Sequence, residues 1–217
     1  MNELDRLYAR SVDVAAFGRG YLDYLARLLG RIEIAEIVTF VEVLLGAREG
    51  GRQLFFLGNG GSAATASHFA NDLAMGPGRQ ARPFRAVSLV DNIPILTAVA
   101  NDDHYDQIFV RQLEILMVPG DVVVAISASG NSPNVVKAVT WANDHGGITV
   151  GLTGFDGGQL RRIARYGVHV PTALGEYGPV EDGHMVLDHL VSSYLIRLCR
   201  AEAGLSTVGL GAGGKEK

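Results

Sequence analysis

The chain has 217 residues and a formal net charge of −4, with 47% hydrophobic and 19% charged residues. This length and apolar content suit one ordinary domain with a sizeable core, and they exclude a disordered chain. The acidic balance argues against a general nucleic-acid partner. The sequence contains no uncharged run of about 18 apolar residues, which is the length that a membrane-spanning helix requires. A single cysteine, Cys199, excludes a disulfide framework and is interpreted as a buried thiol. The charged N-terminus lacks a signal-peptide pattern, so we expect a cytoplasmic protein.

The spacing of apolar residues predicts two helices in residues 1–50, with breaks near Gly18 and Gly50. Leucines and other large apolar residues recur at helical spacing in both halves of the segment. It carries no chemical motif, so we expect it to serve packing within the domain or between subunits.

Residues 51–203 alternate between short apolar runs and helical patterns. Near-continuous apolar strands separated by helices imply a parallel sheet that is covered on both faces. We therefore predict an α/β fold, a three-layer sandwich with a doubly wound, parallel five-stranded sheet and additional N-terminal helices. Residues 204–217 are Gly-rich and predict a flexible tail. The predicted strands are 54–58, 85–89, 122–127, 148–153 and 167–171, and the predicted helices are 62–75, 93–100, 106–117, 133–145, 158–165 and 180–203.

Two loops at the predicted carboxyl edge of the sheet share one chemistry. Gly58-Asn-Gly-Gly-Ser62 follows the first strand, Ser127-Ala-Ser-Gly-Asn-Ser132 follows the third, and each opens a helix. Unpaired N–H groups at a helix N-terminus, together with serine hydroxyls, favour an anion, and phosphate is the natural occupant. Neither loop has the lysine of a P-loop, which argues against a Walker-type nucleotide site.

Two other interpretations of these loops stay open. Ser62 and Ser132 could act only as N-caps, because serine is favoured at that position. Residues 58–63 also satisfy the G-x-G-x-x-A pattern of dinucleotide-binding folds. The acid expected about 20 residues later is missing, however, and Asp91 lies about 30 residues on.

Histidines and carboxylates form a possible acid/base or metal constellation. His68 and Asp72 lie four residues apart, and Glu181 and His189 lie on one side of the last helix. Such residues can bind a metal or transfer protons, and these four would make a tetrahedral set if the two helices meet. The sequence alone does not bring the helices together, and a lone histidine is commonly structural. Surface or structural roles are expected for His104, His145, His169 and Asp188.

Five stretches resemble the SIS (sugar isomerase) domain family, and within it the phosphoheptose isomerase branch. They are GNGGSAATASHFANDL, AVANDDHYDQIF, GDVVVAISASGNSPNVVKAV, GLTGFDGG and VEDGHMVLDHL. The resemblance covers essentially the whole chain, including the N-terminal helices, which in that family help to form a tetramer. It implies an aldose–ketose isomerase that converts sedoheptulose 7-phosphate into an aldose phosphate through an enediol.

The resemblance also implies roles for individual residues. In that family the two loops hold the substrate phosphate, an Asn-Asp pair contacts the sugar, and the proton transfers fall to the positions of Asp72 and His189. Some members bind Zn²⁺, here implied at His68, Asp72, Glu181 and His189, and none of this involves a nucleotide cofactor. The implied substrate-binding residues are Asn59, Gly60, Gly61, Ser62, Asn101, Asp102, Ser127, Ala128, Ser129, Ser132 and Glu181.

The chain departs from the family pattern at several of these positions. Asp72 replaces a glutamate, Glu181 replaces a glutamine and Ala128 replaces a threonine. An arginine and an aspartate that relatives use on the substrate are absent at Gly76 and Gly178. A non-catalytic alternative is a tetrameric SIS scaffold that binds a phosphosugar and a protein partner. The acid at position 72 and the histidine at position 189 argue against it, because the scaffold relatives lack both.

Overall fold

The computed structural model describes residues 1–205 and contains one five-stranded sheet in the order β2-β1-β3-β4-β5. All four strand pairings are parallel, which confirms the predicted fold class. No helix in this described range is long and apolar enough to cross a membrane. The strands are β1 Gln53–Gly58, β2 Arg85–Ser88, β3 Val122–Ser127, β4 Ile148–Thr153 and β5 Tyr166–His169. The helices are α1 Glu3–Arg10, α2 Val14–Leu29, α3 Ile34–Glu49, α4 Gly61–Met75, α5 Ile93–Asp102, α6 Val110–Leu116, α7 Pro133–Asp144, α8 Gly158–Ile163 and α9 Tyr177–Glu202.

Helices cover both faces of the sheet, and alternate side chains of each strand enter two different cores. Leu54 and Phe56 pack with α3, α4 and α9 on one face. Phe55 and Leu57 pack with α6, α7 and α8 on the other. This two-sided burial explains why the strands are almost continuously apolar in sequence. Because all four strand pairings are parallel, the loops that follow the strands lie at one edge of the sheet.

Helices α4 and α9 run parallel and in register along one face of the sheet. The Glu181 carboxylate occupies the space beside Gly61, the Ser192 hydroxyl lies 3.5 Å from an Asp72 oxygen, and Ile196 packs against Gly76. In all three contacts the residue numbers differ by 120. Each residue of α4 therefore lies level with the α9 residue whose number is 120 higher, and this relation decides which functional side chains can meet.

The N-terminal segment corrects one prediction, because it forms three helices and not two. The helical conformation is interrupted between α1 and α2, where the Asp13 side chain accepts a hydrogen bond from the Ala16 amide and caps α2. Gly18, predicted as a break, lies inside α2. An aspartate cap is thus a stronger boundary signal here than a single glycine.

Two more boundaries differ from prediction. The helix predicted at 106–117 is a short 3₁₀ helix, Tyr105–Gln107, followed by α6. The last helix begins at Tyr177, earlier than predicted, because Pro179 falls in its first turn, where a missing N–H costs little. The predicted tail, 204–217, lies from residue 206 onward outside the described residues.

Candidate active site

The two Gly/Ser-rich loops lie side by side because the strands that precede them are neighbours. Gly58 at the end of β1 pairs with Ile126 of β3. Asn59 in the first loop and Asn134 in α7 exchange two hydrogen bonds of 2.8 and 2.9 Å between their side chains. The Tyr105 hydroxyl donates a third bond, of 3.0 Å, to Asn59 Oδ1. The loops are therefore joined, and sequence reasoning missed Asn134 and Tyr105 because polar partners that are distant in the chain leave no periodic signal.

The first loop turns sharply into α4. Gly60 has a φ of 55°, in the left-handed region that favours glycine, and it is the N-cap residue of α4. A side chain at Gly58 would come within 2.8 Å of Ser62, so glycine lets the helix start close to the strand. Ser62 is buried inside the first turn and is not the N-cap, so the interpretation of Ser62 as a simple cap is wrong.

The second loop presents its serines in different ways. The Ser127 hydroxyl is buried and accepts a 3.1 Å hydrogen bond from the Gly130 amide. Ser129 is half-buried, and its hydroxyl accepts a 3.3 Å bond from the Asn131 amide. Ser132 is the N-cap residue of α7, yet within residues 1–205 its side chain makes no capping hydrogen bond. Its hydroxyl remains available to a ligand. Ala128 is buried against Phe155 and Val180.

A cavity of about 260 Å³ opens beside the first loop, and Asn59, Gly60 and Tyr105 contribute to its lining. The predicted sugar contacts Asn101 and Asp102 do not line it. They are exposed at the end of α5, where their side chains bond each other at 2.7 Å. A larger cavity, about 680 Å³, lies between the N-terminal helices and the segment before α9, and it contains none of the predicted site residues.

Four side chains of α4 and α9 converge on one point. One potential ligand atom from each of His68, Asp72, Asp188 and His189 lies within 4.8 Å of the others. The His68 and His189 rings meet edge to face with centroids 5.0 Å apart, and His68 Nε2 lies 3.6 Å from Asp72 Oδ2. The structure thus brings together three of the four predicted metal ligands.

Asp188 is the member that sequence reasoning dismissed. It is fully buried, and neither carboxylate oxygen has a hydrogen-bond partner among the described residues. Burial, with a smaller contribution from the Asp72 charge, raises the pKa of Asp188 to about 8. It lies on the buried stripe of α9 with Leu187 and Val191. In the sequence, the only sign of this role is that Asp188 occupies a position where the helical pattern calls for an apolar residue.

Glu181, the fourth predicted ligand, does not belong to this group. Its carboxylate lies against Gly61, in the first turn of α4 and next to the first loop. The structure therefore places it with the predicted phosphate site and away from His68 and Asp72.

Two histidines outside the group are held in buried surroundings. His184 is fully buried, and burial lowers its pKa to about 4. Burial is also the main reason why the pKa of His169 falls to about 4, and its Nδ1 lies 3.0 Å from the Thr153 hydroxyl. Both rings are therefore neutral at pH 7, which fits the structural role expected for His169.

The converging group suits a divalent cation. Two imidazoles and two carboxylates are ligands that Zn²⁺ takes in tetrahedral sites, where donor atoms lie about 3.4 Å apart. The present spacing, up to 4.8 Å, needs only a modest contraction. A buried carboxylate without a hydrogen-bond partner destabilises the folded state, and a bound cation would be the missing partner of its oxygens.

Comparison with known proteins agrees with this architecture. The family model described as SIS domain matches residues 20–154. The phosphoheptose isomerase of Geobacter metallireducens is 44% identical over 155 residues, covering 71% of this chain and 81% of the relative. That of Geobacter sulfurreducens is 43% identical over 175 residues, covering 80% and 89%.

A solved structure of a phosphoheptose isomerase from Neisseria gonorrhoeae superposes with a TM-score of 0.76 at 29% identity, covering 84% of this chain and 98% of that one. The chain belongs to the SIS-domain family and, within it, groups with the phosphoheptose isomerases, which are aldose–ketose isomerases.

Proposed function

We propose that the protein interconverts sedoheptulose 7-phosphate and the corresponding aldose phosphate, D-glycero-D-manno-heptose 7-phosphate. The observation that carries this proposal is the placement of the first Gly/Ser-rich loop and the converging acid/base group on the same helix, α4, with the second loop joined to the first through Asn59 and Asn134. Ser62 lies in its first turn, and His68 and Asp72 lie one and a half to nearly three turns further on. A phosphate at one end and proton-transfer groups at the other suit a sugar that is phosphorylated far from its carbonyl.

The distance between the two ends agrees with an open-chain sugar. Six residues separate Ser62 from His68, which is about 9 Å along the helix axis. An extended seven-carbon chain can bridge this distance between its phosphate and its first two carbons. The binding energy of the phosphate would then orient the reacting carbons, although the phosphate takes no part in the chemistry.

The reaction requires a proton to move between two neighbouring carbons. A base removes the proton from C1, the electron pair forms the C1–C2 double bond of an enediol, and O2 gains a proton. C2 then gains a proton while O1 loses one, which leaves the aldehyde at C1. We assign these transfers to Asp72 and His189, which meet between α4 and α9.

Three members of the converging group, His68, Asp72 and His189, would hold a divalent metal, which we propose to be Zn²⁺. When bound, such an ion supplies a Lewis acid for the carbonyl and hydroxyl oxygens of the substrate. The unpartnered, buried Asp188 carboxylate beside them supports a cation at this place.

We further propose a homotetramer with sites near subunit interfaces. Support comes from the N-terminal helices and the segments around them, which expose large apolar side chains that the single chain leaves uncovered. These are Tyr8, Val12, Val14, Leu22, Ile34 and Val38.

The test is to incubate the purified protein with sedoheptulose 7-phosphate in D₂O, with and without Zn²⁺. Isomerase activity gives an aldose phosphate and incorporates deuterium at C2, because solvent protons exchange with the catalytic groups. His68→Ala should lower metal content and turnover together, while His104→Ala, at an exposed position outside the site, should change neither. A wild-type protein that binds the sugar phosphate but forms no product and incorporates no deuterium would instead favour the scaffold alternative.

A further inference from the structure

The larger cavity, about 680 Å³, lies outside the candidate active site and has the size of a small-molecule site. Helices α1 and α2 form one side of it, and the segment from Pro171 to Glu176 forms the other. Three arginines contribute to its lining, namely Arg6, Arg27 and Arg31. Among residues 1–205, the guanidinium groups of Arg27 and Arg31 have no ion-pair partner. The cavity therefore offers two positive charges that the chain itself does not neutralise.

The acids in the cavity wall are already occupied by other groups. The buried Glu176 carboxylate accepts hydrogen bonds from the Tyr24 hydroxyl and from the Glu3 and Ala173 amides, at 2.5, 2.6 and 3.0 Å. The second acid, Glu3, pairs with Arg10 at 3.1 Å. Neither carboxylate depends on the two unpaired arginines, so an anion from outside the chain can bind them.

The cavity also lies apart from the apolar surface that we assign to the tetramer. Arg27 follows Tyr24 by three residues, so both lie on one face of α2. Leu22, which belongs to the apolar surface, lies about 140° around the helix from Arg27. None of the six apolar residues assigned to the interface lines the cavity. The proposed assembly therefore does not require the cavity wall.

The cavity is connected to the second Gly/Ser-rich loop through one residue, Phe155. Phe155 and Thr172 both line the cavity, and the Phe155 amide donates a 3.2 Å hydrogen bond to Thr172 Oγ1. On its other side, Phe155 packs against Ala128 of the second loop. Its φ is 52°, the only positive φ of a residue other than glycine in the described range, 1–205. Such a conformation persists only where the surrounding contacts hold it, so a ligand that changes these contacts acts on the loop.

We propose that this cavity binds a small molecule that carries a diphosphate group, and that its binding tightens the second loop around the sugar phosphate. Two guanidinium groups and a volume well above that of one phosphate favour a diphosphate. Arg27 and Arg31 bind its oxygens, and the Thr172 hydroxyl donates to the same anion. A hydroxyl that donates a hydrogen bond also accepts more strongly, which holds Phe155 against Ala128. Only the effect on the loop rests on the proposed function.

The first experiment titrates the full-length, metal-stripped protein with inorganic pyrophosphate by calorimetry, without sugar. Arg27→Gln and Arg31→Gln should each weaken binding by about tenfold or more, because each removes hydrogen bonds from a charged donor. Arg19→Gln is the matched control, since it removes the same charge from an exposed position of α2, and should keep the affinity within about twofold. Ser129→Ala should also keep it, because pyrophosphate that binds at the serine loops would be lost in this variant.

The second experiment measures the coupling in steady-state assays. Saturating pyrophosphate should lower the KM for sedoheptulose 7-phosphate by about fivefold and leave kcat unchanged. Phe155→Gly, which tolerates this φ and removes the ring, should still bind pyrophosphate but should lose the effect on KM.

The binding site is refuted if the wild-type protein does not bind pyrophosphate, if both arginine variants keep the wild-type affinity, or if Ser129→Ala loses it. A KM that stays constant or rises at saturation would refute the effect on the loop. A protein that binds pyrophosphate through the arginines but forms no aldose phosphate would refute only the proposed function. Calorimetric titration with the sugar phosphate, with and without pyrophosphate, then replaces KM as the measure of coupling.

Discussion

Replacing Asp188 with asparagine should stabilise the metal-free protein at neutral pH. The folded state holds the Asp188 proton up to a pKa of about 8, whereas the unfolded chain releases it near the ordinary value of 3.8. Between these values the unfolded state binds fewer protons at this group, so the contribution of Asp188 to the stability of the wild-type protein falls as the pH rises from 4 to 8. Asparagine does not titrate and removes this loss.

The size of the effect follows from the shift. Between pH 4 and pH 7, roughly three pH units, the deprotonation of Asp188 in the unfolded chain lowers the free energy of unfolding of the wild-type protein by about 1.4 kcal/mol per unit. The Asp188→Asn variant should therefore match the wild type near pH 4 and exceed its free energy of unfolding by on the order of 4 kcal/mol at pH 7. The difference should level off above pH 8, where the folded protein also loses the proton.

The assay is urea unfolding in the presence of a chelator, at several pH values from 4 to 8.5 and at one fixed protein concentration. Asp144→Asn, which removes an exposed carboxylate from α7, is the matched control and should show no such pH-dependent difference. Excess Zn²⁺ should reverse the order, because the wild-type protein then gains binding energy that the variant lacks. A difference between variant and wild type that stays constant with pH would refute the reasoning.

Four other predictions concern the loops and the assembly. Ser129→Ala should raise the KM for the sugar phosphate by about tenfold with little change in kcat in steady-state assays, because the contact is made equally in the ground and transition states. Gly130→Ala should destabilise the protein by several kcal/mol in urea unfolding, since its Cβ would meet the Gly157 carbonyl and its φ is 63°. Gly61→Ala should cost less stability, because it displaces only the flexible end of Glu181, but it should raise KM. Sedimentation at micromolar concentration should give a tetramer, and a monomer would contradict the interface assigned to the N-terminal helices.

The strands could be predicted from the sequence because burial on both faces leaves almost no polar residue within them. The number of N-terminal helices could not, because the boundary at Asp13 depends on a cap and not on a break in the apolar pattern. The placement of both loops at the carboxyl edge of the sheet followed from the predicted parallel strands. Their link through Asn59 and Asn134 did not, because it joins residues 75 positions apart.

The metal group was predicted in part for a similar reason. Helical spacing tells which residues share a face, so His68, Asp72 and His189 were recognised. It does not tell how far along its axis one helix is shifted against another. Glu181 and His189 lie on one side of α9 but about 12 Å apart along it, and only the register with α4 separates them.

The fixed register of α4 against α9 also limits how the enzyme could change its substrate. The distance from the proposed phosphate loop to the proposed proton-transfer group is measured along α4, so inserting one residue between Ser62 and His68 would rotate the histidine by about 100° and turn it away from α9. Only additions of nearly a whole turn restore the facing, and each lengthens the gap by about 5.4 Å. Single-residue insertions or deletions in this helix pair therefore cannot adapt the site to sugars that are longer or shorter by one carbon. A change in chain-length specificity would have to come from changes in the loops.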